Sequence, residues 1–339
     1  LNHSSPPADI PSWPHTGEAR PRATFKATAD DFRVEELLPF QPTGDGEHLF
    51  VRMEKRDIGT PELARLLADA HGIEHVDVGY AGMKDTRAVA RQWFSLRGVS
   101  ELDPAAGEID GTSVLEVARH RQKLRRGELG GNVFTIVLRD PGPGDVTGAL
   151  ETLASCGAPN YFGEQRFGWD NLPKAAAWLA RRRRARLSRF KQGLYLSVLR
   201  GFLFNEVLAA RVRAGTWSGS VCGDVADARG LPTGPLWGRG RSTAAAAAAD
   251  IEAQALAPHQ ALLDGLEHAG LTQARRALVC LPAGFRWSWE GPHLRVGFTL
   301  GPGEYATSLL GDQLELRTPD RSPRSSEGSD GRRARGLAP

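Results

Sequence analysis

A short alternating run near the end of the chain constrains the fold most. Leu294, Val296, Phe298 and Leu300 alternate with Arg295, Gly297 and Thr299. Successive side chains of a strand point to opposite faces, so this pattern describes a strand with one apolar and one polar face. Such a strand needs partners, and the other β-like runs lie in the first half of the chain, at residues 76–80, 93–96 and 133–138. The stretch between reads differently. Residues 186–279 carry a helix around Leu203, Phe204, Val207 and Leu208, then the turn-rich piece Gly230-Leu231-Pro232-Thr233-Gly234-Pro235. An alanine run over 244–249 follows, with Ser242 and Thr243 as caps. Alanine's helix propensity makes that run helical. The expected organisation is a discontinuous sheet domain, residues 21–185 and 280–318, with a second domain, 186–279, inserted into it. That is an α/β chain of the α+β type.

Local signals add detail. Thr60-Pro61-Glu62 predicts a helix start with a capping hydroxyl, proline at the first helical position and an acid near the positive dipole end. Leu63, Leu66, Leu67 and Ala70 then form a stripe at helical spacing, and Gly72 ends it. Asp145 caps a second helix through Val146, Leu150 and Leu153, closed by Gly157. Residues 1–20 are Pro-rich and aperiodic, a flexible lead-in. Residues 319–339 lack a core pattern and are expected to be a disordered tail.

The 339 residues, 40% of them apolar, suffice for two modest cores. The net charge is only +3, but its distribution is uneven. Arg119-His120-Arg121-Gln122-Lys123-Leu124-Arg125-Arg126 and the arginine run 181–184, continued by Arg186 and Arg189, concentrate positive charge. Basic clusters attract phosphates and release counterions, so they point towards nucleic acid. Solvated helix faces also carry such charge. Cys156, Cys222 and Cys280 are odd in number and far apart, which excludes a disulfide framework and a cysteine-rich zinc site. A reducing, cytoplasmic setting is expected. No apolar run approaches the roughly 20 residues that span a bilayer.

One acid stands out. Asp85 follows the β-like run 76–80, in the loop Ala81-Gly82-Met83-Lys84-Asp85, with Thr86, Arg87 and Arg91 after it. Gly82 permits a tight turn or a close ligand approach. By itself such an aspartate is an ordinary turn residue. A longer pattern changes that reading. Tyr80-Ala81-Gly82-Met83-Lys84-Asp85, then Ala88-Val89 and Gln92-Trp93, resembles the signature of the TruD family of tRNA pseudouridine synthases. Pro159-Asn160-Tyr161-Phe162-Gly163-Glu164-Gln165-Arg166-Phe167-Gly168 is similar to a second block of that family. Lys26, Asp31-Phe32 and Val34-Glu35-Glu36 resemble its opening motif. Similar blocks continue through Gly44-Asp45-Gly46-Glu47-His48, Gly223-Asp224, Ala274-Arg275-Arg276-Ala277 and Tyr305-Ala306-Thr307-Ser308. Several rare blocks in one order make a specific signal. The chain departs from the family where Leu300-Gly301-Pro302-Gly303 places its proline one position late, while Gly303 and Tyr305 keep their places.

The resemblance implies a pseudouridine-synthase catalytic domain with a mixed, mainly antiparallel sheet, plus an inserted α/β domain special to the family. It implies isomerisation of a tRNA uridine, uridine 13, with Asp85 as nucleophile and no cofactor or metal. A synthase acting on a different uridine, and a non-catalytic tRNA-binding or folding protein, are the alternatives. A target base must leave its stack, and aromatic side chains can replace the lost stacking. Phe32, Phe162 and Tyr305 stand at the family's positions for that task. Asn160 offers an amide for the uracil edge. Lys84 neighbours Asp85, but an extended backbone points it away, so Lys26 is the expected charge partner and Lys84 a substrate-binding residue. Arg121, Lys123, Arg125 and Arg166 are expected on the RNA backbone. The partner is tRNA, with no membrane and no protein partner implied, and a monomer is expected.

Overall fold

The computed structural model describes residues 10–168, 170–180 and 187–319. The arginine run 181–184 with Arg186, and the tail after 319, lie outside the described residues.

The strands are β1 (Arg22–Phe25), β2 (Phe32–Leu37), β3 (His48–Arg56), β4 (Val78–Gly79), β5 (Val89–Arg97), β6 (Thr112–His120), β7 (Gly131–Arg139), β8 (Ala158–Pro159), β9 (Thr233–Leu236), β10 (Ala274–Ala277), β11 (Val279–Cys280), β12 (Ala283–Glu290), β13 (His293–Leu300) and β14 (Glu315–Arg317). The helices are α1 (Thr60–His71), α2 (Pro104–Gly107), α3 (Val146–Cys156), α4 (Glu164–Phe167), α5 (Asn171–Ala180), α6 (Arg189–Arg213), α7 (Ala246–Leu256), α8 (Gln260–His268) and α9 (Ala306–Gln313).

A sheet of ten strands dominates, in the order β12-β13-β7-β2-β5-β3-β6, with β1, β14 and β4 attached beside it. The β2–β5 and β1–β14 pairs are parallel and the rest are antiparallel. The sheet is thus mixed and mainly antiparallel. The alternating run at 294–300 is β13, and it pairs with β7 along its whole length. Its apolar residues join Phe32, Val34, Phe134 and Ile136 in one core, closed by Leu150 and Leu153 of α3 and Leu309 and Leu310 of α9. On the other half of the sheet, Leu49, Val51 and Met53 of β3 meet Leu63 and Leu67 of α1. Each of these fully buried leucines contributes about 1.5–3 kcal/mol.

The parallel β2–β5 pair matters for the site. Its register sets Arg33 beside Val89. The starts of both strands therefore lie together, and so do the loops that lead into them.

Helices α5 to α8 and the β9–β10 ribbon form a second cluster, centred on Phe202, Leu203 and Phe204. The chain leaves for this lobe at β8 and returns at β11, and those two strands pair antiparallel. Residues 161–168 and 170–180, expected with the sheet, pack here instead: Leu172, Ala176 and Leu179 of α5 join Leu199 of α6 and Leu266 of α8. The expected partition at 185/186 therefore cuts a continuous core. The apolar face of α5 has its complement on α6 and α8, which local periodicity cannot reveal. Helix α6 is long and apolar enough to cross a bilayer by length and composition, but it is mostly buried, as the core helix of this lobe.

Residues 10–20, expected to be flexible, are also packed. Trp13 stacks on Tyr161 at 6.1 Å and donates to Glu206 at 2.8 Å, and the Thr16 amide donates to Asp312 at 2.9 Å. One tryptophan, with an apolar body and a polar tip, anchors an otherwise aperiodic segment.

Candidate active site

The Asp85 loop is short and held from below. Strand β4 pairs with Leu96 and Ser95 of β5, so residues 80–88 must turn back within a few residues to enter β5 at Val89. Thr60 was expected to cap α1. The cap is Gly59, without a side-chain bond, and the Thr60 hydroxyl is spent elsewhere. Its Oγ1 accepts from the Lys84 amide at 2.9 Å and donates to Gln92 at 2.8 Å. Lys55 is fully buried and donates from Nζ to the carbonyls of Ile58, at 2.7 Å, and Asp85, at 2.9 Å. Burial pushes its pKa down to about 8, and the nearby Lys84 adds to this while Asp85 and Asp57 oppose it. Thus one buried hydroxyl and one buried ammonium fix the backbone on either side of the 84–85 peptide. Neither was foreseen. The available signal was the alternation Leu49, Val51, Met53, Lys55, which runs a lysine into a buried face.

Above this base, the Asp85 carboxylate bonds to Lys26 Nζ. Asp85 keeps a side-chain exposure of 38%, whereas that of Lys26 is 10%. Lys26 has φ +54°, the left-handed region that a lysine rarely adopts. That turn swings its ammonium over the Phe32 ring, 3.9 Å from the centroid. Arg87 donates to the Ala27 carbonyl and ties the two loops together.

A cleft of about 230 Å³ opens beside Asp85. Phe32, Asn132 and Phe134 form its floor on the sheet, Met83 and Lys84 one wall, and residues 303–307 the other. Gly303, at φ +79°, turns the second wall. Glu304 braces it, accepting from the Gly301 amide at 2.8 Å and from Arg229 at 3.1 Å. The shifted proline thus leaves a closed turn, with Tyr305 at the cleft. Asn132, buried on β7, also went unforeseen; its Oδ1 has no hydrogen-bond partner.

Three expected placements change. Lys84 was expected on substrate, but its Nζ bonds to Glu36, whose side chain is fully buried. Gly82 makes room for that return: a Cβ there would stand 3.2 Å from the lysine nitrogen. Asn160 was expected at the uracil edge, but both ends of its amide are used. Nδ2 donates to the Ala277 carbonyl at 2.9 Å, and Oδ1 accepts from Arg276 at 2.6 Å. Phe162 was expected to stack on the base. It is buried in the helical lobe, edge-on to Phe204 at 5.5 Å, with its backbone clamped by Asn205 at 2.9 Å on both N–H and carbonyl. The Arg276 guanidinium lies 4.1 Å from the Phe162 centroid, and burial pushes that arginine down to about 10. The second motif block is therefore a joint between lobes.

Of the residues expected on RNA, Arg121 is exposed and paired with Asp45 at 2.8 Å. Lys123 donates to the Val76 carbonyl, and the Arg125 side chain is exposed. These three lie on the loop that runs from β6 to Leu129 at the cleft. Arg166 lies elsewhere, 5.0 Å from the Phe162 centroid. His120 stacks on Phe40 at 4.8 Å and accepts from Thr43, so packing accounts for it. Among the described residues, no three His, Cys, Asp or Glu side chains group as a metal site.

A family model described as tRNA pseudouridine synthase D (TruD) matches residues 16–175. The chain is similar to the tRNA pseudouridine synthase D of Cellvibrio japonicus, with 41% identity over 93% of this chain and 96% of that protein. It is similar to that of Marinobacter nauticus at 42%, over 90% of this chain and 94% of the other. The fold is similar to a crystal structure assigned to tRNA pseudouridine synthase D (TruD) from Methanosarcina mazei, with a TM-score of 0.65 and 20% identity, over 89% of this chain and 95% of that one.

Proposed function

Because the chain belongs to the TruD family of tRNA pseudouridine synthases, which are isomerases, we propose that it converts uridine 13 of tRNA to pseudouridine with Asp85 as nucleophile. One observation carries this reading: an ion-paired, partly exposed carboxylate opens on a cleft of about 230 Å³ lined by Phe32 and Tyr305.

The reaction breaks the bond from ribose C1′ to N1, turns the base and rejoins C1′ to C5. A proton leaves C5 and one is gained at N1. The detached base must stay bound throughout. A carboxylate can start this at C6, at C1′ or by assisting a glycal intermediate, and each route needs it rigidly placed. Lys55 and Thr60 supply that placement through the backbone. When a base enters and excludes water, the Lys26 ammonium offsets the desolvation of the carboxylate. Tyr305 provides a ring for the flipped base, and Phe32 underlies the Lys26–Asp85 pair. The loop carrying Arg121, Lys123 and Arg125 offers positive charge for the RNA backbone on the approach to the cleft.

The test is direct. Purified protein is incubated with tRNA transcripts and pseudouridine is mapped by base-specific chemical modification. The expected product is at uridine 13 and disappears in Asp85→Asn, while tRNA binding persists. Product at another position overturns the site; undiminished product from Asp85→Asn overturns the nucleophile.

A further inference from the structure

A second cavity, of about 420 Å³, adjoins the Asp85 cleft. Lys26 lines it while its ammonium bonds to Asp85, and Thr307 lines both spaces. It sits where the lobes meet, among Tyr161 and Gly163 of the second motif block, Ser308 of α9 and the segment from Trp13 to Arg20. Its volume falls within the roughly 300–1,000 Å³ of ligand pockets. Three buried polar atoms of its lining residues have no hydrogen-bond partner among the described residues: Tyr161 Oη, Ser308 Oγ and Arg20 Nε. Tyr161 as a whole is only 9% exposed. Buried polar atoms nearly always have partners, so three orphans round one cavity ask for an explanation. Gly163 leaves room at the serine hydroxyl: a Cβ there would stand 3.2 Å from Ser308 Oγ. The two hydroxyls can donate and the arginine nitrogen can only donate, so an occupant has to offer acceptors. Asp312, the one carboxylate lining the cavity, is already engaged by the Thr16 amide and by Gln313, each at 2.9 Å.

We propose that this cavity takes the nucleotide next to the target uridine, splayed from the tRNA stack, with its base beside Trp13 and Tyr161 and its acceptor atoms on the three orphaned donors. The inference rests on the reaction proposed at Asp85. A uridine bound there brings its neighbours in the strand to the rim of the cleft, and the cavity opens across Lys26 and Thr307. Flipping one base removes a stacking partner of the next, so the neighbour leaves the stack at lower cost. Sites that take splayed bases combine aromatic rings with arginine and hydrogen-bond the base edge. The cavity supplies each of these. Trp13 is held in place by its stack on Tyr161 at 6.1 Å and its bond to Glu206, and Arg20 is anchored on the Leu314 carbonyl at 3.1 Å with Nε left over. Base carbonyls, ring nitrogens and phosphate oxygens are acceptors, the class of atom that the orphans require. The second motif block then has two tasks. Asn160 and Phe162 hold the lobes together, and Tyr161 meets the neighbouring nucleotide that their joint encloses.

The experiment crosses the loss of one hydroxyl with the loss of one base. Wild type, Tyr161→Phe and Ser308→Ala are assayed on intact tRNA and on tRNA made abasic at the nucleotide before or after the target. The wild type is expected to lose on the order of 10- to 100-fold in kcat/KM on one of the two abasic substrates, the size of a lost aromatic stack. On intact tRNA, Tyr161→Phe should lose about 3- to 10-fold, mainly through KM, the size of one hydrogen bond. On that abasic substrate it should lose nothing more, because the base its hydroxyl meets is already gone. Its melting temperature should hold or rise, since the hydroxyl has no partner in the free protein, whereas a merely structural role would lower it. Should Tyr161→Phe not fold, Ser308→Ala carries the same comparison. Equal kcat/KM for wild type and both variants on intact tRNA overturns the subsite, and so do fully additive losses. Wild-type activity indifferent to both abasic positions also overturns it and leaves a cavity that holds only water. A wild type without product on intact tRNA fails the parent reading instead. The same comparison is then read from tRNA affinity, so the two failures are told apart.

Discussion

Two motif blocks, residues 80–85 and 159–168, look alike as sequence: each is short and contains glycine, at least one aromatic and charged residues. The structure uses them in opposite ways. In the first, polar groups below the loop hold its backbone and release one side chain, Asp85, towards the cleft. In the second, two of the side chains expected at the site are themselves engaged. Asn160 bonds to Ala277 and Arg276, and Phe162 is sealed against Phe204. The difference teaches that a motif marks where a fold tolerates little change. Whether it faces substrate or holds lobes together depends on what lies across from it.

The comparison can be broken by substitution. The largest effect is expected at Asp85: Asp85→Asn should leave no detectable product, with an unchanged melting temperature and unchanged tRNA affinity. Next comes Phe162→Ala. As a buried joint it should lose about 3–5 kcal/mol of unfolding free energy in a denaturant titration. Its remaining folded protein should keep a KM close to wild type, and a large KM change with normal stability would move Phe162 into the cleft. Tyr305→Leu should behave in the reverse sense. It should lose about 1–3 kcal/mol of base stacking, read as a roughly ten- to hundred-fold drop in kcat/KM, with little change in melting.

The buried Lys55 gives a pH test of the first block. Its folded pKa of about 8 lies below the ordinary 10.5 of a lysine. Between those values the unfolded chain holds the proton and the folded chain does not, so this group's contribution to stability rises with pH. Activity should move the other way. As pH passes 8, the ammonium under the Asp85 carbonyl becomes neutral and kcat should decline, and Lys55→Met should lack that limb. The smallest effect is expected at Arg121→Ala. Its exposed pair with Asp45 should contribute little to stability, and removing it should weaken tRNA binding evenly and reduce the salt slope by about one.

Much of this molecule is legible without coordinates. The alternation at 294–300 announces β13, Asp145 caps α3 through the Gly148 amide, and Gly72 ends α1 in a left-handed turn. Those features are local, set by residues within a few positions of each other. The Lys26–Asp85 pair is not local, and it was reached only through motif resemblance. The resemblance pointed to Asn160 and passed over Asn132. Both are asparagines at the edge of a strand, and what decides between them is the set of groups opposite each. Asn160 meets Ala277 and Arg276, more than a hundred residues further along the chain, and they engage both ends of its amide. Asn132 meets no such partner for its Oδ1. The same holds for Thr60, which local rules made a helix cap and which instead serves the Lys84 amide across the core. Periodicity and capping record short-range preferences, so the sequence by itself determined the elements and their order. Hydrogen-bond satisfaction in a buried site is settled by whichever segments the fold brings into contact, and only the tertiary structure decided which polar groups at the cleft were left without a partner.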